Sequence, residues 1–224
     1  MITANVIHRV FRIKIDQTEG TAFTIEKDAR EYLVTAKHVA KTIAVGREIE
    51  LYQNTGWIPL QSELVGHSSS DSDISVLAVD RALTPARLPM TATSKGLVYG
   101  QDVYFLGFPY GFLGRHVFGP NGHPLPFVKK ATVSLFDGTT YLLDGHNNPG
   151  FSGGPVVWTQ PGTSEFRVAA VISAYRSVDE PIYAGGGATA LTYRYNTGII
   201  VCHGVETALD LIATNPIGYR ADAS

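Results

Sequence analysis

The sequence predicts an all-β protein, a barrel or a sandwich. Short apolar runs recur at close spacing along most of the chain. Glycine, proline, asparagine and serine cluster between them, as turn residues do between strands. Only one segment, near the C-terminal end, carries apolar residues at helical spacing.

Taken in order, residues 6–15 alternate apolar and polar positions, with a slip at Arg9, and read as the first strand. Residues 21–25 follow Gly20, and residues 31–36 follow a polar hairpin loop over 26–30. Further strands are expected at 48–52, 57–64 and 74–79, with a polar loop over 66–72. A link over 84–94 carries Pro85 and Pro89 and is the natural boundary between two halves. Beyond it, residues 102–107 read as a strand, followed by a loop over 108–114 and an exposed proline-rich loop over 119–126. Strands resume at 130–136, 140–143, 155–159 and 166–175. The run Gly185-Gly186-Gly187 reads as a flexible loop, and 198–202 as a late strand. The helix lies at about 205–214, where Val205, Ala208, Leu209, Leu211 and Ile212 line one face before Pro216 stops it.

Composition excludes several classes. At 224 residues, 44% hydrophobic and 17% charged, the chain is ordinary for a globular protein. A formal net charge of -2 offers no electrostatic case for nucleic acid or an anionic membrane. No apolar run approaches the roughly 20 residues that a membrane span needs. Residues 1–10 lack the apolar core and cleavage site of a signal peptide. Cys202 stands alone, so no internal disulfide forms and a reducing compartment, the cytoplasm, is expected. His8, His67, His116, His123 and His203 are scattered without metal-ligand spacing and read as surface or satisfied loop residues; Lys129-Lys130 reads as a solvated face.

The chemistry concentrates in Asn147-Asn148-Pro149-Gly150-Phe151-Ser152-Gly153-Gly154-Pro155. Glycines around one serine permit close approach to the backbone, expose the hydroxyl, and let the N–H groups of Gly150 and Ser152 face one point beside it. Acyl transfer needs that pairing of a nucleophile with oxyanion donors. Ser-Gly-Gly-Pro is also an ordinary tight turn, so the partners decide. A serine needs a base that titrates near neutrality, and a carboxylate to hold that base in one tautomer. His38 follows an apolar strand in Val34-Thr35-Ala36-Lys37-His38-Val39. Asp73 precedes one in Asp73-Ile74-Ser75-Val76-Leu77, and is preferred to Asp71, which lies in a serine-rich loop.

These three segments occur in the order His, Asp, Ser, and together they resemble the chymotrypsin-fold serine proteases. The likeness is closer to the disulfide-free bacterial HtrA/Deg-type trypsin-like peptidases. Asp144-Gly145-His146 leading into the serine segment resembles their nucleophile loop, and Phe105-Leu106-Gly107-Phe108-Pro109-Tyr110-Gly111 their glycine-x-proline segment. The resemblance spans about residues 18–212. It implies two six-stranded antiparallel β-barrels with a C-terminal helix, one peptidase domain over 1–224, with barrels over about 1–90 and 95–204. It implies a catalytic triad of His38, Asp73 and Ser152, an oxyanion hole at Gly150 and Ser152, and no metal or other cofactor. The edge Ser173-Ala174-Tyr175 is expected to pair with a peptide or protein substrate; His146 holds the position at the base of the primary pocket, where it either receives an acidic or amide side chain or simply points into its own loop. Phe151 replaces the Asp that receives a new N-terminus in the secreted trypsin group, so activation of that kind is not expected. With a short remainder after the helix, no PDZ domain is expected within these residues. An inert or latent protease-fold scaffold is the alternative, with an activating protein partner or oligomer as the switch; no residue names that partner.

Overall fold

The computed structural model describes residues 1–43, 48–84, 89–112, 119 and 122–220. Pro85 of the link, Leu113 and Gly114 of the loop expected over 108–114, His116 and Pro120 lie outside the described residues.

A short helix, α1 (Ala4–Ile7), precedes β1 (Val10–Ile15) and the hairpin β2 (Thr18–Lys27) and β3 (Arg30–Thr35). The strand expected over 6–15 therefore starts only at Val10. Residues 4–8 instead close helical hydrogen bonds onto Thr3 and Ala4, and Val6 buries itself through that turn. The β2–β3 turn is tighter than the loop expected over 26–30: Asp28 and Ala29, both at positive φ, make the whole connection. Helix α2 (Lys37–Ala40) follows, then β4 (Glu48–Gln53), β5 (Gly56–His67) and β6 (Ser75–Val79). These six strands pair in the order β3-β2-β1-β4-β5-β6, and a β3–β6 pairing closes the ring.

The second half is a closed antiparallel barrel. It comprises β7 (Asp102–Gly107), β8 (Phe127–Asp137), β9 (Thr140–Asp144), β10 (Pro155–Thr159), β11 (Phe166–Ala184) and β12 (Gly187–Gly204), in the order β10-β11-β12-β9-β8-β7. Helix α3 (Glu206–Thr214) packs Ala208 and Ile212 into the shared core. The short β13 (Tyr219–Arg220) then returns to pair with β3. The fold is chymotrypsin-like and mostly β.

Core residues explain the closure. Strand positions alternate between the two faces, and one face of each strand fills a ring interior. Phe11, Ile13, Leu33, Leu51 and Leu77 fill the first. Val103, Phe105, Val133, Phe151 and Trp158 fill the second. A further cluster, including Phe23, Val34, Leu106 and Val157, joins the two halves and α3.

Strands β11 and β12 run well beyond the barrel, so 166–175 and 198–202 understate them. Residues 176–197 form a two-stranded arm whose Val178 pairs with Tyr195 and Glu180 with Tyr193. Its tip is not a flexible loop: Ala184 pairs with Gly187, and Gly185 and Gly186 close the turn at φ 59° and 83°. Two residues at positive φ are what a tight hairpin between twisted strands requires. Among the described residues, no helix is long and apolar enough to cross a membrane.

Candidate active site

Three turns bring His38, Asp73 and Ser152 to the seam between the rings. His38 stands on α2, one turn after β3. Its position is fixed from below by Val39 and Ala40, which are buried in the first ring. Asp73 precedes β6, which is buried at every residue. The β3–β6 pairing, with Thr35 opposite Ser75, sets the two loops side by side.

The Asp73 carboxylate is fully claimed. Oδ1 accepts the backbone N–H of His38 at 2.8 Å, and Oδ2 lies 2.6 Å from His38 Nδ1. Oδ2 also accepts the Ser173 hydroxyl at 2.6 Å. Burial works against the Asp73 charge, but the hydrogen bonds from His38 and Ser173 outweigh it and hold the carboxyl below the ordinary aspartate range. An ionised carboxylate only accepts, so Nδ1 carries the hydrogen and the imidazole presents a free Nε2 lone pair. Asp71, by contrast, is exposed and takes a hydrogen bond from the adjacent Ser70.

Ser152 is held differently. Its hydroxyl donates to the Ser173 carbonyl at 3.1 Å, and among the described residues it makes no hydrogen bond to His38. Ser173 thus bridges the constellation: its side chain reaches Asp73 and its backbone receives Ser152. Imidazole and carboxylate are joined directly; the serine is joined to that carboxylate through residue 173.

The loop before Ser152 is pinned on its carbonyl side. Pro149 C=O accepts the Tyr110 N–H at 2.8 Å, and Phe151 C=O accepts the Gly154 N–H at 2.8 Å. In a trans peptide the N–H points opposite the C=O. The N–H groups of Gly150 and Ser152 therefore turn away from those contacts, and among the described residues neither has an acceptor. Gly150 sits at φ +102°, and a Cβ there would lie 2.3 Å from the Phe108 carbonyl. Two unclaimed donors beside a hydroxyl are what a developing oxyanion requires.

Thr21 locks this loop to the first ring, a role that no motif announced. Its hydroxyl donates to Gly150 C=O at 2.7 Å and accepts the Phe108 N–H at 3.2 Å, while its N–H donates to Ser152 C=O at 2.8 Å. Lys129 corrects the expectation of a solvated face. It is half-buried, and its Nζ donates to His146 C=O at 2.7 Å and Asn148 Oδ1 at 2.8 Å. Burial lowers its pKa from the ordinary lysine value. Lys130 does face solvent, paired with Asp102. Strand alternation carried the signal: Lys129 shares its face of β8 with the buried Ala131 and Val133.

Of the other expected contacts, the His146 side chain is exposed, while Asn147 beside it is buried and ties Nδ2 to Ala174 C=O at 3.2 Å. Ser173, Ala174 and Tyr175 lie on β11 past the end of its pairing with β10 at Val171, and the Ser173 carbonyl faces Ser152. A groove of about 200 Å³ beside Gly150 is lined by Arg12, Glu19, Tyr110, Pro149 and Gly150, among others. Of the scattered histidines, His67 pairs with Ser75 and His203 with Thr140.

A family model described as a trypsin-like peptidase domain matches residues 20–162, which include all three site residues. No curated protein matches the chain. Among solved structures, an HtrA-type protease, AlgW with a tripeptide, matches at 20% identity and TM-score 0.61, over 94% of this chain and 61% of that one. Rv3671c from M. tuberculosis H37Rv, a serine-to-alanine mutant in an inactive form, matches at 19% identity and TM-score 0.58, over 95% and 89%. The serine endoprotease from Yersinia pestis matches at 19% identity and TM-score 0.60, over 94% and 63%. At such identities the likeness is one of fold, and this chain spans just over three fifths of the HtrA-type and Yersinia chains.

Proposed function

The chain belongs to the trypsin-like peptidase family, and from that premise we propose that it is a serine endopeptidase working through an acyl-enzyme. One observation carries the reading. The His38–Asp73 pair, closed at 2.6 Å, shares Ser173 with the Ser152 hydroxyl, beside two unclaimed N–H donors.

In this reading the Ser152 side chain rotates about χ1 from the Ser173 carbonyl toward His38 Nε2, a move between staggered rotamers. Oγ attacks the scissile carbonyl carbon as Nε2 takes its proton. The carbonyl π pair moves onto oxygen, and the N–H groups of Gly150 and Ser152 stabilise that oxyanion. The imidazolium is steadied by Asp73 and delivers the proton to the leaving amine as the C–N bond breaks. Water repeats the sequence on the acyl-enzyme and releases the acid. Before that attack, the vacated Ser173 carbonyl and the strand edge through Tyr175 pair with the extended substrate backbone. His146 is the proposed residue at the pocket base. The substrate is a peptide or protein, and a lone buried cysteine fits a reducing compartment.

The hydrogen bond from Ser152 to the Ser173 carbonyl favours a second reading, in which the resting enzyme is latent and a protein partner or oligomer releases the hydroxyl. Treatment with a serine-reactive fluorophosphonate distinguishes them. Labelling of Ser152 in the isolated chain, with cleavage of a denatured proteome that Ser152→Ala abolishes, supports the active enzyme. Folded protein that neither labels nor cleaves refutes it and leaves latency.

A further inference from the structure

Lys129 is the one cation on the inner face of β8, and its surroundings are specific. Its Nζ donates to His146 C=O at 2.7 Å and to Asn148 Oδ1 at 2.8 Å, and lies 5.6 Å from the centroid of the Phe151 ring. All three partners belong to the loop that ends at Ser152. Phe151 is fully buried and meets Phe105 edge-on, so the ammonium sits where the loop enters the second barrel.

The rest of the loop is fastened elsewhere: Tyr110 and Thr21 hold the carbonyls of Pro149, Gly150 and Ser152, downstream of Asn148. Asn147 Nδ2 donates to Ala174 C=O, and Asn147 C=O accepts the Asn196 amide at 2.8 Å. Asn148 N–H donates to Asn147 Oδ1, and Phe151 N–H to Asn148 C=O at 3.3 Å. Asn148 is therefore the joint between an anchored stretch and the Pro149–Gly150 peptide. Among the described side chains, Lys129 is the one that holds the Asn148 side chain. Without it, the joint keeps only bonds made within its own turn.

We propose that Lys129 is a positioning residue for the oxyanion donors: clamped between His146 and Asn148 above the Phe151 ring, its ammonium holds the loop in the form that aims the N–H groups of Gly150 and Ser152 into the site. Lys129 touches no reacting atom in this account. It acts through the loop, and its catalytic consequence rests on the serine endopeptidase reading. An ammonium meets all three partners, donating to two oxygens and facing an aromatic ring; a methionine of similar length meets only the ring, through its sulfur.

The test uses the full chain with Lys129→Met, Lys129→Arg and Asn148→Ala, each checked for an intact fold by near-ultraviolet circular dichroism. The readouts are the rate of fluorophosphonate labelling at Ser152, kcat and KM on a fluorogenic peptide, and the amide resonances of Gly150 and Ser152 by NMR. In Lys129→Met, labelling and kcat fall by about 10²-fold, the loss typical of one oxyanion donor. KM stays within about threefold, and both amide resonances shift. Lys129→Arg recovers kcat to within about tenfold of the parent. Asn148→Ala, which leaves the lysine in place, lowers kcat with KM held and shifts both amide resonances, and serves if Lys129→Met fails to fold. The proposal is overturned by Lys129→Met turning over like the parent, by a defect confined to KM, by arginine failing as badly as methionine, or by unmoved amide resonances. Failure of the parent itself to label sinks the endopeptidase reading alone, because the resonances still decide whether Lys129 positions the donors.

Discussion

Asp73→Asn isolates the proposed electrostatics most cleanly, because it changes one atom's chemistry at nearly constant volume. The native carboxylate accepts three hydrogen bonds: the backbone N–H of His38, His38 Nδ1–H and the Ser173 hydroxyl. An asparagine amide can accept only through its oxygen. If that oxygen keeps the ring and Ser173, the NH₂ group is driven against the His38 backbone N–H, donor against donor. If the amide turns over, its NH₂ faces Nδ1 and forces the hydrogen onto Nε2, where it blocks proton abstraction from Ser152. The first leaves the imidazolium facing a neutral amide across a repulsive contact, the second removes the base outright, and a loss of about 10⁴ in kcat is expected, roughly 5 kcal/mol at 1.36 kcal/mol per tenfold. Stability falls less. The Asp73 side chain is 21% exposed, so water compensates in part, and a net loss of about 2 kcal/mol follows from hydrogen bonds to a charged acceptor worth about 1.5–3 kcal/mol each. For a chain of this size that lowers Tm by about 4–8 °C. The assay is initial-rate hydrolysis of a peptide ester normalised to titrated Ser152, alongside a thermal melt, with Asp71→Asn as the parallel control expected to match the parent. Retention of kcat within tenfold of the parent in Asp73→Asn would remove Asp73 from the constellation and the proposed mechanism with it.

The same carboxylate predicts an acid signature. Its folded pKa lies below its unfolded value, so its contribution is fully present above the unfolded pKa, near 3.8, and is lost as pH falls through the folded one. The Tm gap between the parent and Asp73→Asn should accordingly be open at pH 7 and narrow by pH 3; a constant gap contradicts the assignment. Gly153→Ala should lose roughly 2–5 kcal/mol, from positive-φ strain plus overpacking, since its Cβ would stand 2.1 Å from the Thr21 carbonyl at φ +85°. Urea denaturation measures that, and a parent-like midpoint would show the turn to be adaptable. Cys202 is fully buried, donates to Tyr141 C=O and has its thiol pKa pushed up by burial. It should stay inert to an aromatic disulfide reagent in the folded chain and give one equivalent on unfolding.

Much of this protein is written in local pattern. The short apolar runs of β1 through β10 and the helical spacing of α3 reflect which residues want burial, and neighbours in sequence suffice to show that. Ser152, His38 and Asp73 were likewise legible, because a nucleophile between glycines and two polar residues at the ends of buried strands break the pattern around them. The arm over 176–197 was not, because its exposed tyrosines and its glycine tip look the same whether the strands extend or the chain loops.

What the sequence alone determined is the set of residue types and the strand periodicity, since hydrophobic burial and backbone geometry act over a few positions at a time. Only the tertiary structure decided that Ser152 rests on the Ser173 carbonyl, that Thr21 and Lys129 both hold the loop, and that two N–H groups find no acceptor among the described residues. Those are contacts between segments far apart in the chain, as Thr21 and Gly150 are at 129 positions. They depend on the closure of both rings, which no single stretch of chain encodes.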